Sequence, residues 1–252
     1  MSLEGRIALV TGGGRGIGRA ISLGLAEDGA AVAVNYRRDE EAAREVVAEI
    51  EKAGGRAAAY GASVDDWDAD ARMVEQIAAE LGDVDILVNN AGIASRGNTV
   101  EDTDPAELER VVRVHALAPH LLAKLVLPGM KKKARGDIVM ISSVATLGYA
   151  ARGAPYSMGK AAMEALAYTL AKEGLPDGIH TNIVAPGLVE TEMGRRLVRA
   201  RSGVEDMREL DASMPYGRVC QPEDIANAVR FLVSDRASYV NGQKINVHGG
   251  DR

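Results

Sequence analysis

Short apolar runs rich in Val and Ile recur along the chain at Ile7–Val10, Ala31–Tyr36, Ile86–Val88, Ile138–Ile141, Thr181–Val184 and Lys244–Val247, with a weaker run at Arg56–Tyr60. Apolar and polar positions do not alternate within them. That is the pattern of parallel strands covered on both faces. Longer stretches of helical character separate them: Gly18–Asp28, Asp39–Ala53, Asp66–Leu81, Asp104–Lys133, Tyr156–Glu173 and Pro222–Leu232. Several open on an acidic residue or Pro, as helix N-termini prefer. Repeated strand–helix–strand units predict an α/β fold around a parallel sheet with right-handed crossovers. No linker, repeat or low-complexity tract divides residues 1–252, a length that suits one large α/β domain or two small ones. In such sheets ligands sit beyond the carboxyl ends of the strands, and candidate chemistry is sought there.

The first strand ends in Thr11-Gly12-Gly13-Gly14-Arg15-Gly16-Ile17-Gly18, with a helix next. Glycines let the backbone turn tightly and approach a pyrophosphate, and the helix N-terminus offers N–H groups and a positive dipole end. The spacing G-x-x-x-G-x-G at Gly12, Gly16 and Gly18 is neither the strict G-x-G-x-x-G nor a P-loop, since no Gly-Lys-Ser/Thr follows. It predicts a dinucleotide site. An NAD site places a carboxylate at the end of the second strand, on the ribose 2′-OH. Here that strand ends Asn35-Tyr36-Arg37-Arg38, with no acid before Asp39. Arg37, with Arg15 from the other side, suits a 2′-phosphate, so NADP(H) is expected over NAD(H).

Pro155-Tyr156-Ser157-Met158-Gly159-Lys160 opens a helix and sets Tyr156 and Lys160 four apart on one face. An ammonium beside a phenol favours the phenolate, and this predicts a Tyr pKa low enough for proton exchange near neutrality. Ser143 lies thirteen residues earlier, at the end of a buried strand, where its hydroxyl can hold a substrate oxygen. A Tyr-x-x-x-Lys spacing alone is commonplace; its order after the glycine loop and the strand-end Ser carries the weight.

These residues, with Asn89-Asn90-Ala91-Gly92 and Pro186-Gly187 followed by Thr191, resemble the classical short-chain dehydrogenase/reductase family over nearly the whole chain, most of all its 3-oxoacyl-carrier-protein reductase branch. The resemblance implies a single-domain, seven-stranded doubly wound parallel sheet of Rossmann type. It implies Tyr156 as general acid–base, Lys160 on the nicotinamide ribose, and Ser143 orienting the carbonyl. The backbone of Asn90, Ala91 and Gly92 would line the cofactor while Asn89 braces the sheet. Ser63 and Val64 fall at the adenine, with Ser63 replacing a common Asp. Pro186, Gly187, Val189 and Thr191 would hold the carboxamide and pyrophosphate end. A mobile substrate lid is expected from Thr191 to about Met214, and a homotetramer through the long helices ending near Lys133 and Glu173.

The chain departs from the family twice. His115 stands where the family carries an Asn that holds a water linking the Lys to solvent. Three readings are open: an imidazole that relays protons in its place, a weakened relay, or a mark of lost activity. The positions where carrier-protein reductases present arginines are Ala134 and Asp177. Lys133 and Arg135 lie nearby, but Asp177 repels an acidic carrier, so an acyl carrier protein is disfavoured as partner. A small carbonyl or alcohol is expected as substrate. The rivals are an NAD-linked alcohol or polyol dehydrogenase and a nucleotide-binding regulator with weakened catalysis.

Composition narrows the field further. The net charge of −6 argues against a nucleic-acid surface. The basic run Lys131–Arg135 reads as a solvated helix end, where cations suit the dipole. The single Cys220 reads as a small buried hydrophobe. His115, His120, His180 and His248 have no metal-ligand spacing, so no metal is expected. His248 reads as a packing residue, Trp67 as the cap of the third helix, and the lid arginines Arg195, Arg196, Arg199 and Arg201 as solvated or facing an anionic substrate. No apolar stretch reads as long enough to span a membrane, and no signal peptide precedes the first strand. A soluble, cytoplasmic chain is the expectation.

Overall fold

A computed structural model describes residues 2–250, apart from the side chain of Arg201. Seven strands form one parallel sheet: β1 (Ile7–Val10), β2 (Ala31–Tyr36), β3 (Ala57–Gly61), β4 (Ile86–Asn89), β5 (Gly136–Ile141), β6 (Ile179–Pro186) and β7 (Lys244–Val247). Their order is β3-β2-β1-β4-β5-β6-β7, the doubly wound arrangement with its switch point between β1 and β4. The strands match the apolar runs closely; β5 and β6 extend past them because Gly136, Asp137, Ile179 and His180 also pair in register.

Helices cover both faces. On one side α1 (Gly16–Glu27), α2 (Glu40–Lys52) and α9 (Pro222–Leu232) enclose a core built on Val10, Ile21, Leu25, Val34, Val46 and Val229. On the other, α3 (Trp67–Glu80), α4 (Pro105–Val112), α5 (Ala118–Met130) and, after the single turn α6 (Ala145–Gly148), α7 (Ala154–Glu173) pack Leu9, Met73, Ile77, Leu87, Leu122, Met140 and Met163. Asp39, Asp66 and Asp104 cap α2, α3 and α4 through their carboxylates. Trp67 is therefore the first residue of α3 and not its cap; it lies half exposed under the Arg113 guanidinium.

The stretch expected as one helix over 104–133 is α4 and α5 joined by a single π-turn at Arg113–Leu117. Pro105–Met130 is long and apolar enough to cross a membrane by length and composition, which corrects the expectation that no such stretch exists. In the fold its apolar face, Val111, Val114, Ala118, Leu122, Val126 and Met130, packs in the core. The basic run after α5 is also not simply solvated. Lys131, Lys132, Lys133 and Arg135 pair with Asp177, Asp83, Asp85 and Asp137.

One buried group works against the fold. Asp70 in α3 is fully enclosed, and neither carboxylate oxygen has a partner. Burial, then the charges of Asp66 and Asp65, push its pKa up to about 7. The folded carboxyl keeps its proton where the unfolded chain has released it. Stability from this group is thus lost as pH rises from about 4 to about 7. Asp70→Leu is expected to stabilise the protein by about 1–3 kcal/mol at pH 8, with a smaller gain at pH 5. Thermal melts of both proteins across that range check it; parallel pH dependences contradict it.

Candidate active site

The glycine loop is shaped by hydrogen bonds from three strand ends. Gly12 and Gly16 take φ of +61° and +52°, in the left-handed region that favours glycine. A Cβ at Gly18 would lie 2.1 Å from the Gly12 carbonyl oxygen, so no side chain fits there. The Thr11 hydroxyl accepts from the amides of Asn90 and Ala91 at 2.9 Å, and Asn90 Nδ2 donates to the Thr11 carbonyl at 2.8 Å. Asn35 Oδ1 accepts from the Gly12 amide, while its Nδ2 reaches the carbonyls of Tyr60 and Ala62. Asn35 carried no role in the sequence reading; the only signal was an amide inside the apolar run of β2. Asn89 is buried against Met140 Sδ, bracing the sheet as expected.

Arg15 is the N-cap position of α1 but offers no side-chain cap, and the first turn of α1 holds no acid. Its amides and dipole end are thus open to an anion. The loop, the helix end and the tight approach at Gly18 fit a dinucleotide pyrophosphate. Arg37 and Arg38 are exposed at the end of β2, and among the described residues neither is in an ion pair. Arg15, also largely exposed, reaches Glu192 at 3.2 Å across the loop. Glu192 begins α8 (Glu192–Ser202), and Thr191, its N-cap, packs against Gly16. Ser63 hydrogen-bonds Asp65, and Val64 is buried beside it after β3. Pro186 ends β6, and the Gly187 amide donates to Val247. A Cβ at Gly187 would meet His248, which is a packing neighbour there. Val189 is buried and bridges Cys220, whose thiol burial pushes up to about 12, as suits an inert hydrophobe.

The stretch expected as a lid is helical. After α8 come short 3-10 turns, and Val198, Met207 and Val219 form a small core of their own. Two of its arginines are engaged with acids: Arg196 with Glu192, and Arg199 with Glu205. Arg208, further along, pairs with Glu190. Arg195 has no such pair among the described residues, and the side chain of Arg201 lies outside them.

Helix α7 brings the remaining candidates together. Pro155 sits in its first turn, and Tyr156 and Lys160 share one face, with Lys160 Nζ 5.8 Å from the phenol ring centroid. Lys160 is fully buried and donates to the Ile141 carbonyl at 2.7 Å. Burial drives its pKa down to about 7, against the opposing charge of Glu164. Burial also raises the Tyr156 phenol, while the neighbouring Ser143 hydroxyl opposes the rise. Against the expectation of a lowered Tyr pKa, burial is the larger influence and Ser143 the opposing one. Around neutrality Tyr156 holds its proton and is an acid.

His115 is brought inward by the π-turn, a helix defect often found at functional sites. Its ring is wholly buried and edge-on to Tyr156, with centroids 5.1 Å apart. Nε2 lies 2.8 Å from the Ile93 carbonyl, and Nδ1 has no partner. Gly92 and Gly159 leave it room, since a Cβ at either would come within 2.8 Å of the His115 side chain. Burial and then Lys160 push its pKa down to about 3, so it does not titrate near neutrality as expected.

A family model described as enoyl-(acyl carrier protein) reductase matches residues 12–251. The chain is 39% identical to the 3-oxoacyl-[acyl-carrier-protein] reductase FabG of Escherichia coli K12, over 99% of this chain and 98% of that one. Among solved structures, the 7α-hydroxysteroid dehydrogenase complexed with NADH and 7-oxo glycochenodeoxycholic acid superposes with a TM-score of 0.90 at 33% identity, covering 99% of this chain and 95% of that one. The angucycline C-6 ketoreductase LanV with bound NADP gives 0.89 at 35%, over 99% and 96%.

Proposed function

The chain belongs to the short-chain dehydrogenase/reductase family, close to its FabG branch, and is an oxidoreductase; from that premise we propose that it reduces a ketone to an alcohol with NADPH, Tyr156 donating the proton. The observation that carries the reading is the Ser143–Tyr156–Lys160 cluster, with Lys160 buried behind a partly exposed phenol that stays in its protonated form. The cofactor, when bound, supplies or accepts the hydride at the substrate carbon. Ser143 orients the carbonyl oxygen, and Tyr156 gives its proton to that oxygen as negative charge develops on it. Lys160 stabilises the phenolate left behind. His115, neutral and edge-on, holds the Tyr156 ring in place and takes no proton. Gly12, Gly16, Ile17 and Gly18 would hold the pyrophosphate, and Arg37 a 2′-phosphate. Asn90, Ala91, Gly92, Pro186, Gly187, Val189 and Thr191 would form the nicotinamide side, and Ser63 and Val64 the adenine side.

The substrate is a free small molecule or thioester and not one tethered to a carrier protein. The cations nearest the positions that meet an acidic carrier, Lys131, Lys133 and Arg135, are held by Asp177, Asp85 and Asp137. Assembly through the long helices into a homotetramer belongs to the same reading.

The test is NADPH consumption with acetoacetyl-CoA, ethyl acetoacetate and cyclic ketones, beside NADH. Turnover with NADPH on at least one probe is expected; none with either cofactor favours a regulator. Because Lys160 loses its charge above about 7 and Tyr156 is protonated below its raised pKa, kcat for reduction should be level from about pH 5.5 to 7 and decline above. A rate that climbs steadily from pH 7 to 9 contradicts this.

A further inference from the structure

Tyr156, Lys160 and Glu164 occupy successive turns of one face of α7, and each meets the exit of β5. Lys160 holds the Ile141 carbonyl. Glu164 Oε1 accepts from the hydroxyl of Ser142 and lies 2.8 Å from that of Thr146. The Thr146 hydroxyl also lies 2.8 Å from the carbonyl of Ser143 itself. From the far side, Lys244 on the edge strand β7 donates to Thr146 at 2.6 Å and pairs with Glu164 at 2.8 Å. Both members of that pair are largely buried, with 14% and 12% of their side chains exposed. The segment carrying Ser143 is therefore gripped on each side by groups that reach a single carboxylate.

We propose that Glu164 is a positioning residue: it fixes the turn that presents Ser143 and keeps a negative charge one helical turn from Lys160, with Lys244 as its counter-ion. The inference rests on the catalytic reading of Ser143, Tyr156 and Lys160 above. A buried ion pair is costly to desolvate and is weak evidence of stability on its own. Here the carboxylate also has two hydroxyl partners on the catalytic turn, which a purely structural pair would not need. The charged and titratable groups around Lys160 are Tyr156 and Glu164 on α7, His115 on the π-turn, and Lys244 reached through Glu164. Of these only Glu164 favours its ammonium form, since His115 is neutral. Removing the charge should lower the pKa of Lys160 further and move the alkaline limb of reduction to lower pH.

The experiment compares wild type, Glu164→Gln, Lys244→Met and Tyr156→Phe for NADPH-dependent reduction of the best probe ketone, with kcat and KM across pH and a thermal melt for each. Glu164→Gln is expected to lose about tenfold in kcat at pH 8 with KM nearly unchanged, its alkaline limb lying about one pH unit lower. Lys244→Met is expected to melt earlier while its limb does not fall. If both variants melt earlier and neither limb moves, Glu164 is merely structural and the proposal is overturned. Should Glu164→Gln not fold, Thr146→Val tests the same grip through the loop, and a wild-type kcat in it overturns the proposal. An active Tyr156→Phe overturns the catalytic reading itself; an inactive Tyr156→Phe beside an unaltered Glu164→Gln overturns only the role of Glu164.

Discussion

Tyr156→Phe should lower kcat for ketone reduction by about 10²–10⁴-fold while leaving NADPH affinity within a factor of about two. The substitution removes one oxygen from a partly exposed ring and keeps the edge-on contact with His115, so the fold has little reason to change. The lost oxygen is the proton source. Lys160 is buried and bound to the Ile141 carbonyl, so it is not expected to substitute. His115 does not either, since burial keeps it neutral and its Nε2 is engaged at Ile93. A loss expressed in KM alone would mean that the phenol binds substrate without transferring its proton. Isothermal or fluorescence titration with NADPH separates the two effects.

Arg37→Asp should have the second largest effect and should act on a different quantity. Arg37 is an exposed cation at the end of β2, where a sheet of this topology meets the adenosine ribose. A charge-assisted contact to phosphate contributes about 1.5–3 kcal/mol. Its loss, with a carboxylate installed in its place, should weaken NADPH binding by about 10²-fold and improve NADH binding, because the new acid can accept from a ribose hydroxyl. The predicted outcome is a reversed preference with kcat on the favoured cofactor preserved. If Arg37→Asp binds NADPH as wild type does, the 2′-phosphate lies elsewhere. Arg15, exposed on the glycine loop, is then the next candidate.

The sheet was legible because β1 and most of β2, β4 and β5 are apolar, and burial on both faces is what such runs demand. The ends of β5 and β6 were not, because Asp137 and His180 are polar residues that pair with partners outside the local pattern: Asp137 with Arg6 and Arg135, His180 with the Ser238 carbonyl. The glycine loop and the Ser143, Tyr156 and Lys160 set were legible because their spacing is fixed by backbone geometry. What periodicity cannot carry is environment. The spacing predicts a lowered Tyr156 and a His115 near its ordinary range, whereas burial raises the first and lowers the second. The π-turn was hidden inside a stretch that reads as one continuous helix. The partners that set the site depend on folding distant segments together: Asn35 with Gly12, Arg15 with Glu192, and Lys244 with Glu164.

The account rests on hydride passing to a carbonyl carbon within this site, and isotopic transfer tests that most directly. Wild-type protein would be given NADPH deuterated at the transferable position together with the best probe ketone, and the alcohol analysed by mass spectrometry. The account predicts one deuterium on the carbinol carbon of wild-type product, and a yield from Tyr156→Phe lower by the same 10²–10⁴-fold. An alcohol that carries no deuterium at that carbon, or equal yields from the two proteins, would contradict it.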